Sequence, residues 1–519
     1  MSNSITVSVD DKSNVIIGQV LIIDIIFKSD SNIPTNSQFE LKNIKNATAS
    51  NTFISIINSD DNFSMTTELY IDKNISTGDI VSFDIVPNEH AVGFSTKKIN
   101  YTAHEVDLDS LGIYFEEDVI PALMTDEINI PPNGKSYTRA IAMVKNRNGY
   151  PLAEVPITII GGYLPNLDKV KIFLSNQDPN TEVSKQQLYG EQSIVLNTNK
   201  NGKLEFYIYL SDKSQFVLDL KARVSGKTDF VFSRNRLYVL DDDPGAPFNI
   251  TKQTLAPPNL LDDSGELRGD DNSSTFLVSI NSYNNAKSDD TILFYVDGKY
   301  SRQEIVLNDI KNLNNYFIHL PYTIFPLNKR VTFSYVVVST NGNIQSSAGS
   351  YIQYIGGGKN QPQGNVTRVY DMCTVYSSMG YFDPYALVVP NGEINYSEIS
   401  NHVDNPGNFG LYVTIIGATD PNNKNQVPIN SDVTINLYCN DDTKKINQTF
   451  KGKWKDISTN EEKSIKVCIA SIPYKYLTSM DNGRIYFDYQ VSELGKITYG
   501  KIWKAYIDTL LPGWNPGGN

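Results

Sequence analysis

The segment VKNRNGYPLAEVPITII, residues 144–160, places a tight turn between two alternating apolar runs. Alternation from Tyr137 to Val144 predicts one strand, and residues 146–149 predict the turn, because Asn and Gly adopt a positive φ at low cost. Pro151 excludes a helix, so a second strand is expected over residues 155–159. Pro156 lies inside that strand and lacks an N–H, which confines it to a sheet edge or to a gap in the hydrogen-bond ladder.

The same pattern continues outward along the chain. Asn-Gly turns punctuate the apolar runs, and helical periodicity never lasts long. Strands of about five residues with turn signals every 8–12 residues are typical of β-sandwiches, so we predict an all-β fold. Examples of the alternation are Ile5-Val7-Val9, Leu204-Phe206-Ile208, Val433-Ile435-Leu437 and Ile485-Phe487-Tyr489.

Length and composition predict several domains. The chain has 519 residues, of which 40% are hydrophobic, whereas a single core rarely grows beyond ~250 residues. Pro, Gly and Asp accumulate in DDDPGAPFN (residues 241–249) and in GGGKNQPQGN (residues 356–365), and a softer boundary falls at residues 104–110. We therefore expect four domains, over residues 1–104, 105–244, 245–357 and 358–519, and number them 1 to 4.

Domains 3 and 4 share an internal repeat. Pro321-Tyr322 aligns with Pro473-Tyr474, and further matches lie upstream. The repeat predicts a tandem array of related β modules. The upstream matches are TFLVSINSY (275–283) with GLYVTIIGA (410–418), and TILFYVD (291–297) with TINLYCN (434–440).

Turn and strand residues recur in a fixed order in domain 2, namely Asn148, Gly149, Pro151, Pro156, Thr198, Asn201 and Gly202. With these residues, domain 2 resembles the bacterial immunoglobulin-like module of the invasin and intimin type. The resemblance covers about a quarter of the chain well and another half loosely, and a long insertion (residues 162–193) departs from it. It implies tandem immunoglobulin-like β-sandwich domains, arranged as a rod that presents a binding tip, with no catalysis.

Charge and hydropathy limit the partners. A net charge of -13 and a pI near 4.9 argue against nucleic acid, which requires clustered Lys and Arg. The most apolar run, VLIIDIIF (residues 20–27), is too short for a membrane span of ~20 residues, so no membrane insertion is expected. The first residues contain neither a basic nor an apolar signal region. We expect an extracellular or cell-surface location, reached by a route other than a visible N-terminal signal peptide.

No motif supports an enzyme or a cofactor. The four histidines lie far apart, and GxSxG, HExxH, P-loop and GxGxxG motifs are missing from the sequence. Three cysteines in no ligand spacing exclude a disulfide framework, although Cys439 and Cys468 form a pair if the compartment oxidises, and are otherwise isolated thiols. The third cysteine is Cys373, and the four histidines are His90, His104, His319 and His402.

Three segments are candidate binding sites. Arg268-Gly269-Asp270 lies in a polar stretch that predicts a turn, and integrins read this tripeptide from a loop tip. The acidic stretches 241–243, 262–263 and 270–271 offer oxygen ligands for calcium, with solvated linker as the alternative reading. Residues 372–396 carry aromatic side chains among polar ones, which favours either a contact surface or a lid on domain 4. These aromatics are Tyr376, Tyr381, Phe382, Tyr385 and Tyr396.

The sequence thus predicts a noncatalytic bacterial adhesion or recognition protein. Its expected partner is a host or cell-surface protein or glycan. Two alternatives stay open: a structural fibre component of a phage or secretion apparatus, and a secreted toxin or glycan-acting protein that carries immunoglobulin-like modules.

Overall fold

The protein is all-β and consists of tandem immunoglobulin-like β-sandwich domains. The computed structural model describes residues 3–50, 54–59, 62–123, 128–188, 190–241, 253–261, 265–270, 273–400, 402, 405, 407–418, 420, 423–458, 464–493 and 496–511. The calcium candidates at residues 242–243, 262–263 and 271 lie outside the described residues. In the described part the one α-helix is α1 (Tyr396–Ile399), and the 3-10 turns are Leu108–Leu111, Leu167–Lys169, Pro179–Thr181, Ile310–Asn312, Tyr322–Ile324, Pro384–Ala386 and Tyr474–Tyr476.

By compactness the chain divides into two units, Met1–Val239 and Leu240–Asn519. Each unit contains two hydrophobic cores, which lie between packed sheets. The first unit has one core from residues 5–103 and another from residues 106–239 together with Ile16. The second unit has one core from residues 255–352 and another from residues 370–507. The domain numbers 1 to 4 refer below to these four cores.

The twenty-one strands β1 to β21 form the five sheets of domains 1 and 2. Domain 1 has the strands β1 (Ser4–Val7), β2 (Asn14–Ile16), β3 (Val20–Lys28), β4 (Phe39–Lys45), β5 (Ala47–Ala49), β6 (Ile54–Ser59), β7 (Asn62–Ile71), β8 (Ile80–Pro87) and β9 (Lys97–His104). Domain 2 has β10 (Tyr114–Phe115), β11 (Val119–Pro121), β12 (Tyr137–Met143), β13 (Pro156–Gly161), β14 (Val170–Phe173), β15 (Gln186–Leu188), β16 (Glu191–Asn197), β17 (Lys203–Leu210), β18 (Phe216–Leu218), β19 (Leu220–Val224), β20 (Val231–Phe232) and β21 (Leu237–Leu240). The sheet orders are β1-β3-β7-β5 with β6 on β7, β2-β9-β8-β4, β10-β12-β17-β14, β15-β16-β13-β19-β20 and β11-β21-β18.

The most apolar run of the chain forms β3. Its side chains alternate between core and surface, so that Leu21 and Ile23 are buried while Asp24 points outward. Asp24 accepts a hydrogen bond from the hydroxyl of Thr66 on the neighbouring strand β7, at 2.6 Å. A run that looks uniformly apolar therefore has one face in the core and one at the surface.

The segment 144–160 carries the chain from one sheet of domain 2 to the other. Its first strand, β12, pairs with β10 and β17, whereas its second, β13, pairs with β16 and β19. Of the two positions expected for Pro156, the sheet edge does not apply, because β13 is an interior strand. Its pairing with β19 begins only at Ile157, so Pro156 lies beyond the end of that ladder. Pro156 is the first residue of β13, where a strand tolerates a proline.

Two Asn-Gly turns meet at one end of domain 2. Gly149 and Gly202 both have a positive φ, of 85° and 73°. A Cβ at Gly202 would lie 2.8 Å from the backbone N of Leu152, so only glycine fits there, whereas the space around Gly149 is open. Thr198 joins the two turns, because its hydroxyl donates to the Leu152 carbonyl and accepts from the Val155 N–H. Three of the residues that match the invasin pattern, Pro151, Thr198 and Gly202, thus meet in one packed junction.

Domains 3 and 4 have the same strand order in their larger sheets, and the smaller sheet has three strands in domain 3 and five in domain 4. Domain 3 has β22 (Gln253–Leu255), β23 (Asn259–Leu260), β24 (Glu266–Gly269), β25 (Thr275–Ser279), β26 (Thr291–Val296), β27 (Lys299–Val306), β28 (Ile318–Pro321), β29 (Arg330–Val338), β30 (Ile344–Ser347) and β31 (Ser350–Gly357). Domain 4 has β32 (Arg368–Tyr370), β33 (Thr374–Ser377), β34 (Leu387–Val388), β35 (Glu393–Asn395), β36 (Phe409–Ile416), β37 (Asp432–Asn440), β38 (Lys445–Lys451), β39 (Lys453–Ser458), β40 (Ser464–Pro473), β41 (Gly483–Glu493), β42 (Lys496–Gly500) and β43 (Trp503–Asp508). The sheet orders are β22-β30-β29-β26-β27 with β24-β31-β29, β23-β25-β28, β32-β42-β41-β37-β38 with β35-β43-β41, and β34-β33-β36-β40-β39.

In both domains the early strands pair in parallel with the last two. These pairs are β22 with β30 and β24 with β31 in domain 3, and β32 with β42 and β35 with β43 in domain 4. Pro321-Tyr322 and Pro473-Tyr474 both end a strand and begin a 3-10 turn, as their alignment predicts. The two modules are therefore built on one plan.

Strand register corrects one alignment between the repeats. Phe294 on β26 pairs with Tyr335 on β29. The sequence also aligns Phe333-Ser334-Tyr335 with Phe487-Asp488-Tyr489, and Tyr489 on β41 pairs with Ile435 on β37. Phe294 is thus equivalent to Ile435, two residues away from the position given by matching TILFYVD with TINLYCN. A shift of two residues keeps every side chain on the same face, so the apolar pattern does not reveal it.

Residues 356–365, expected to be a linker, are tied to domain 4 through Asn360. Its side-chain N–H groups donate to Asn440 Oδ1 at 2.8 Å and to the Ile446 carbonyl at 2.9 Å. Its Oδ1 accepts from Asn447 Nδ2 at 3.0 Å. Gln303 on β27 also donates to the Asn447 carbonyl at 3.1 Å. Domains 3 and 4 are therefore joined by specific hydrogen bonds rather than by a free tether.

Asp441 holds the turn between β37 and β38. Its carboxylate accepts from the backbone N–H groups of Thr443 and Asp481, at 2.7 and 3.1 Å, and from that of Lys444. Burial raises the pKa of Asp441, but these donors outweigh it and leave the pKa below the usual 3.8.

The three cysteines are free and buried. Cys439 lies on β37 and Cys468 on β40, which belong to different sheets of domain 4. Burial raises the pKa of both thiols to about 12. They are isolated core thiols, which was one of the two states left open by the sequence.

Candidate functional site

The aromatic residues of segment 372–396 lie on the outer face of one domain 4 sheet. Val375 on β33 and Leu411 on β36 point into the core. Their neighbours Tyr376 and Tyr412 therefore point outward, and they face each other across the two strands. Both are buried nevertheless, because the loop after β33 folds back over them.

The covering loop contributes Tyr381 and Phe382. The ring of Tyr381 lies 5.5 Å from that of Tyr412, in an edge-to-face arrangement. Phe382 contacts Tyr381 at 5.8 Å and Tyr376 at 5.9 Å between ring centroids. Such offset and edge-to-face pairs each contribute about 0.5–1.5 kcal/mol beyond the burial of area. The rings fix the loop on the sheet.

Phe382 has a strained backbone. Its φ is +66°, and Gly380 two residues earlier has a φ of +130°. A bulky residue with a positive φ costs about 1–3 kcal/mol and persists only where the surroundings hold it. The ring contacts with Tyr376 and Tyr381 keep Phe382 in this conformation, and they leave 37% of Phe382 exposed.

Tyr385 projects into solvent from a fixed turn. Asp383 caps the turn by accepting from the Tyr385 N–H at 2.9 Å, and Pro384 occupies its first position. Tyr385 is 91% exposed, and Leu387 and Met379 nearby in sequence are also exposed. We call Tyr376, Tyr381, Phe382, Tyr385 and Tyr412 the aromatic patch.

Tyr396 lies apart from the ring contacts of Tyr376, Tyr381 and Phe382. It begins α1 after Asn395, whose side chain accepts from the N–H groups of Ser397 and Glu398. The Tyr396 side chain is hydrogen-bonded to Tyr474. It is half-buried and serves the packing of α1.

Arg268-Gly269-Asp270 lies on a strand, and the expectation of a turn is wrong. Arg268 and Gly269 belong to β24, which pairs with β31, and Asp270 follows directly. A Cβ on Gly269 would come within 2.4 Å of the Gly357 backbone. Arg268 and Asp270 are exposed and line a cavity of about 340 Å³ beside His319. The tripeptide is therefore held along a sheet instead of projecting from a loop tip.

The histidines lie in separate places. His90 and His104 belong to domain 1, His319 to β28 and His402 to the loop before β36. Burial lowers the pKa of His104 and of His319, so both are neutral at physiological pH. In the described part of the chain no group of three or more His, Cys, Asp or Glu could hold a metal ion.

Sequence reasoning missed Tyr412. It lies in GLYVTIIGA, which the sequence identifies only as a strand, and its place under the loop depends on its pairing with Tyr376. The alternation of Leu411, Tyr412 and Val413 does indicate that Tyr412 faces away from the core. A tyrosine on the outer face of an interior strand is the signal that was available.

Comparisons with known proteins leave the family open. No family model matches the chain, and no curated protein matches it. Domains 4–9 of the surface layer protein SbsC are 11% identical, over 97% of this chain and 82% of that one, with a TM-score of 0.18. The C-terminal domain of the Streptococcus pyogenes antigen I/II-family protein AspA is 10% identical, over 46% and 99%, with a TM-score of 0.18. Protocadherin gammaB7 EC3-6 is 13% identical, over 68% and 77%, with a TM-score of 0.14.

At scores this low, the matches assign neither a family nor an activity to this chain. Among the described residues, no helix has the length and hydropathy that a membrane span requires. The functional argument therefore comes from the aromatic patch itself.

Proposed function

We propose that the chain is a noncatalytic recognition protein, and that the aromatic patch of domain 4 binds a host or cell-surface protein or glycan. The observation that carries this proposal is Tyr385, which is 91% exposed on a capped turn beside the strained Phe382. A fixed, exposed aromatic side chain offers contact area at a low entropic cost, which is why tyrosine is enriched at binding hot spots.

The proposal includes a bacterial origin and an extracellular or cell-surface location. Its support is the invasin-type pattern of domain 2, whose residues Gly202, Thr198 and Pro151 pack into one junction. The hydrogen-bonded joint at Asn360 also suits a protein that holds a binding surface at a fixed position.

The test is retention of the full chain on a glycan array and on cultured animal cells. We expect Tyr385→Ala to lower retention at least about tenfold, because truncating a hot-spot residue costs 2 kcal/mol or more. Tyr150→Ala is the matched control, since Tyr150 is 67% exposed in domain 2. Equal loss in both variants, or none in either, would contradict the proposal.

The same preparation separates the alternatives. Ordered fibres of the purified chain in electron micrographs, without retention on glycans or cells, would favour a structural component. Release of soluble sugars from a polysaccharide would favour the glycan-acting protein.

A further inference from the structure

A cavity of domain 3 combines an apolar wall with two exposed charges of opposite sign. It has a volume of about 340 Å³ and is lined by residues of β23, β24, β25 and β28 and of the segments next to them. Arg268 and Asp270 line it, and both are exposed. Of the apolar lining residues, Leu261 is 67% exposed, and Leu260 and Leu277 are half-buried. A ligand in the cavity can therefore reach both charges and the apolar wall.

Arg268 is fixed on a strand while its charge is unpaired. It is the third residue of β24, which pairs with β31. The preceding Leu267 is buried, so the Arg268 side chain points away from the core. Within the described part of the chain, its guanidinium forms neither an ion pair nor a hydrogen bond with another residue. A guanidinium binds a carboxylate through two parallel hydrogen bonds, so Arg268 offers a site for one carboxylate.

The sandwich itself does not require an arginine at this position. The register, followed from β29 through β31 and from β41 through β43, makes Glu266 on β24 equivalent to Glu393 on β35. Arg268 is then equivalent to Asn395, which in domain 4 caps α1. Domain 4 thus builds the same pair of strands with an uncharged residue, and Arg268 is a feature of domain 3 alone.

The charges of the lining decide the class of ligand. Among the described lining residues the ionised side chains are Arg268 and Asp270, since His319 is neutral at physiological pH. Asp270 repels a simple anion that Arg268 attracts, and Arg268 repels a simple cation that Asp270 attracts. A ligand that carries both charges is attracted by both residues. The apolar wall favours a ligand with an apolar portion as well.

The size of the cavity limits the ligand to a small molecule. Liquid water occupies ~30 Å³ per molecule, so the cavity has room for about ten non-hydrogen atoms. A single amino acid with an apolar side chain has this size, and its ammonium and carboxylate lie side by side. In a longer peptide the two terminal charges lie too far apart for one cavity of this volume.

We propose that this cavity binds a free α-amino acid with an apolar side chain. Its carboxylate pairs with Arg268, its ammonium pairs with Asp270, and its side chain packs on Leu261 and Leu277. The site uses no residue of the aromatic patch, so it goes beyond the recognition function proposed above and is tested separately from it.

The first test is saturation-transfer NMR on the full chain with leucine, valine, methionine and phenylalanine. At least one of them is expected to give a signal. The N-acetyl derivative of that amino acid lacks the ammonium, and its amide lacks the carboxylate. Each derivative is expected to bind about tenfold or more weakly than the parent, as for a lost bond to a charged group. No signal from any of the four, or derivatives that bind as well as the parent, would overturn the assignment.

The second test uses variants of the chain. Arg268→Gln is expected to weaken binding of the parent amino acid about tenfold or more, because it removes the charge that holds the carboxylate. Arg330→Gln is the matched control, since Arg330 is an exposed arginine of domain 3 outside the cavity lining, and it is expected to leave binding unchanged. Equal affinities of the two variants would contradict the proposal. If Arg268→Gln lowers the melting temperature so far that the domain unfolds, the two derivatives decide, because they are measured on the unaltered chain.

Discussion

Replacing Asn360 by alanine is expected to loosen the joint between domains 3 and 4. The variant loses the side-chain bonds to Asn440, Ile446 and Asn447, and alanine supplies neither donor nor acceptor in their place. The backbone carbonyl of residue 360 still accepts from Asn440 Nδ2 at 2.7 Å. The change therefore weakens the joint without removing it.

The expected loss follows from the geometry. Three bonds have lengths of 2.8, 2.9 and 3.0 Å, and a neutral bond contributes about 0.5–1.5 kcal/mol net. A fourth, to the Cys439 carbonyl at 3.3 Å, shares a donor group and adds little. The free energy of unfolding of domain 4 should fall by about 2–3 kcal/mol.

The assay is urea unfolding followed by tryptophan fluorescence. Trp503 is buried in the core of domain 4, and Trp454 packs against that core. The midpoint should fall while the slope of the transition stays the same, because the change affects stability and not the surface exposed on unfolding. Lys359→Ala is the control, since Lys359 is the exposed neighbour.

Equal midpoints for Asn360→Ala and Lys359→Ala would refute this account of the joint. Asn360→Asp gives a second test, because a carboxylate has no N–H for Asn440 Oδ1 or the Ile446 carbonyl. A variant with aspartate that is as stable as the original chain would show that these bonds do not hold the joint.

Three further predictions concern stability and reactivity. Gly202→Ala should destabilise domain 2 by at least about 2 kcal/mol, and Gly149→Ala by only about 1 kcal/mol. Both positions need a positive φ, but only Gly202 is crowded by neighbouring atoms. Equal midpoints of the two variants in thermal unfolding would contradict this difference. Because the pKa of Asp441 is lowered in the folded chain, its contribution to stability is present above about pH 3.8 and is lost as the pH falls through the lower, folded pKa. In acid unfolding, Asp441→Asn should lack this pH-dependent loss of stability. An identical pH profile for the two chains would contradict the prediction. At pH 8 a thiol-specific disulfide reagent should label no cysteine of the native chain and all three after denaturation, since burial keeps these thiols protonated; fewer than three labels would indicate a disulfide. The three are Cys373, Cys439 and Cys468.

The class of fold could be predicted from the sequence because the strands and turns of a β-sandwich produce local patterns of alternation and of turn residues. Alternation from Tyr137 to Val144 and the turn at residues 146–149 are both present, and only the last residue of the strand differs. No local pattern shows which strands pair with each other. Pairing decided that Pro156 starts an interior strand and that Phe294 matches Ile435, and neither follows from alternation alone.

The same contrast between local patterns and long-range contacts applies to the candidate site. Of the aromatics singled out by their polar neighbours, Phe382 and Tyr385 are exposed, whereas Tyr376 is buried under the loop. Asn360 reads as a linker residue because its binding partners lie about 80 positions away along the chain.

The parallel pairing of early and late strands has a mechanical consequence for domains 3 and 4. Tension applied through the chain ends pulls β24 and β31, or β35 and β43, in opposite directions along a common axis. The hydrogen bonds between them then carry the load together, in shear, instead of opening one after another as a peeled hairpin does. A module with this arrangement resists stretching far better than its thermal stability alone would indicate.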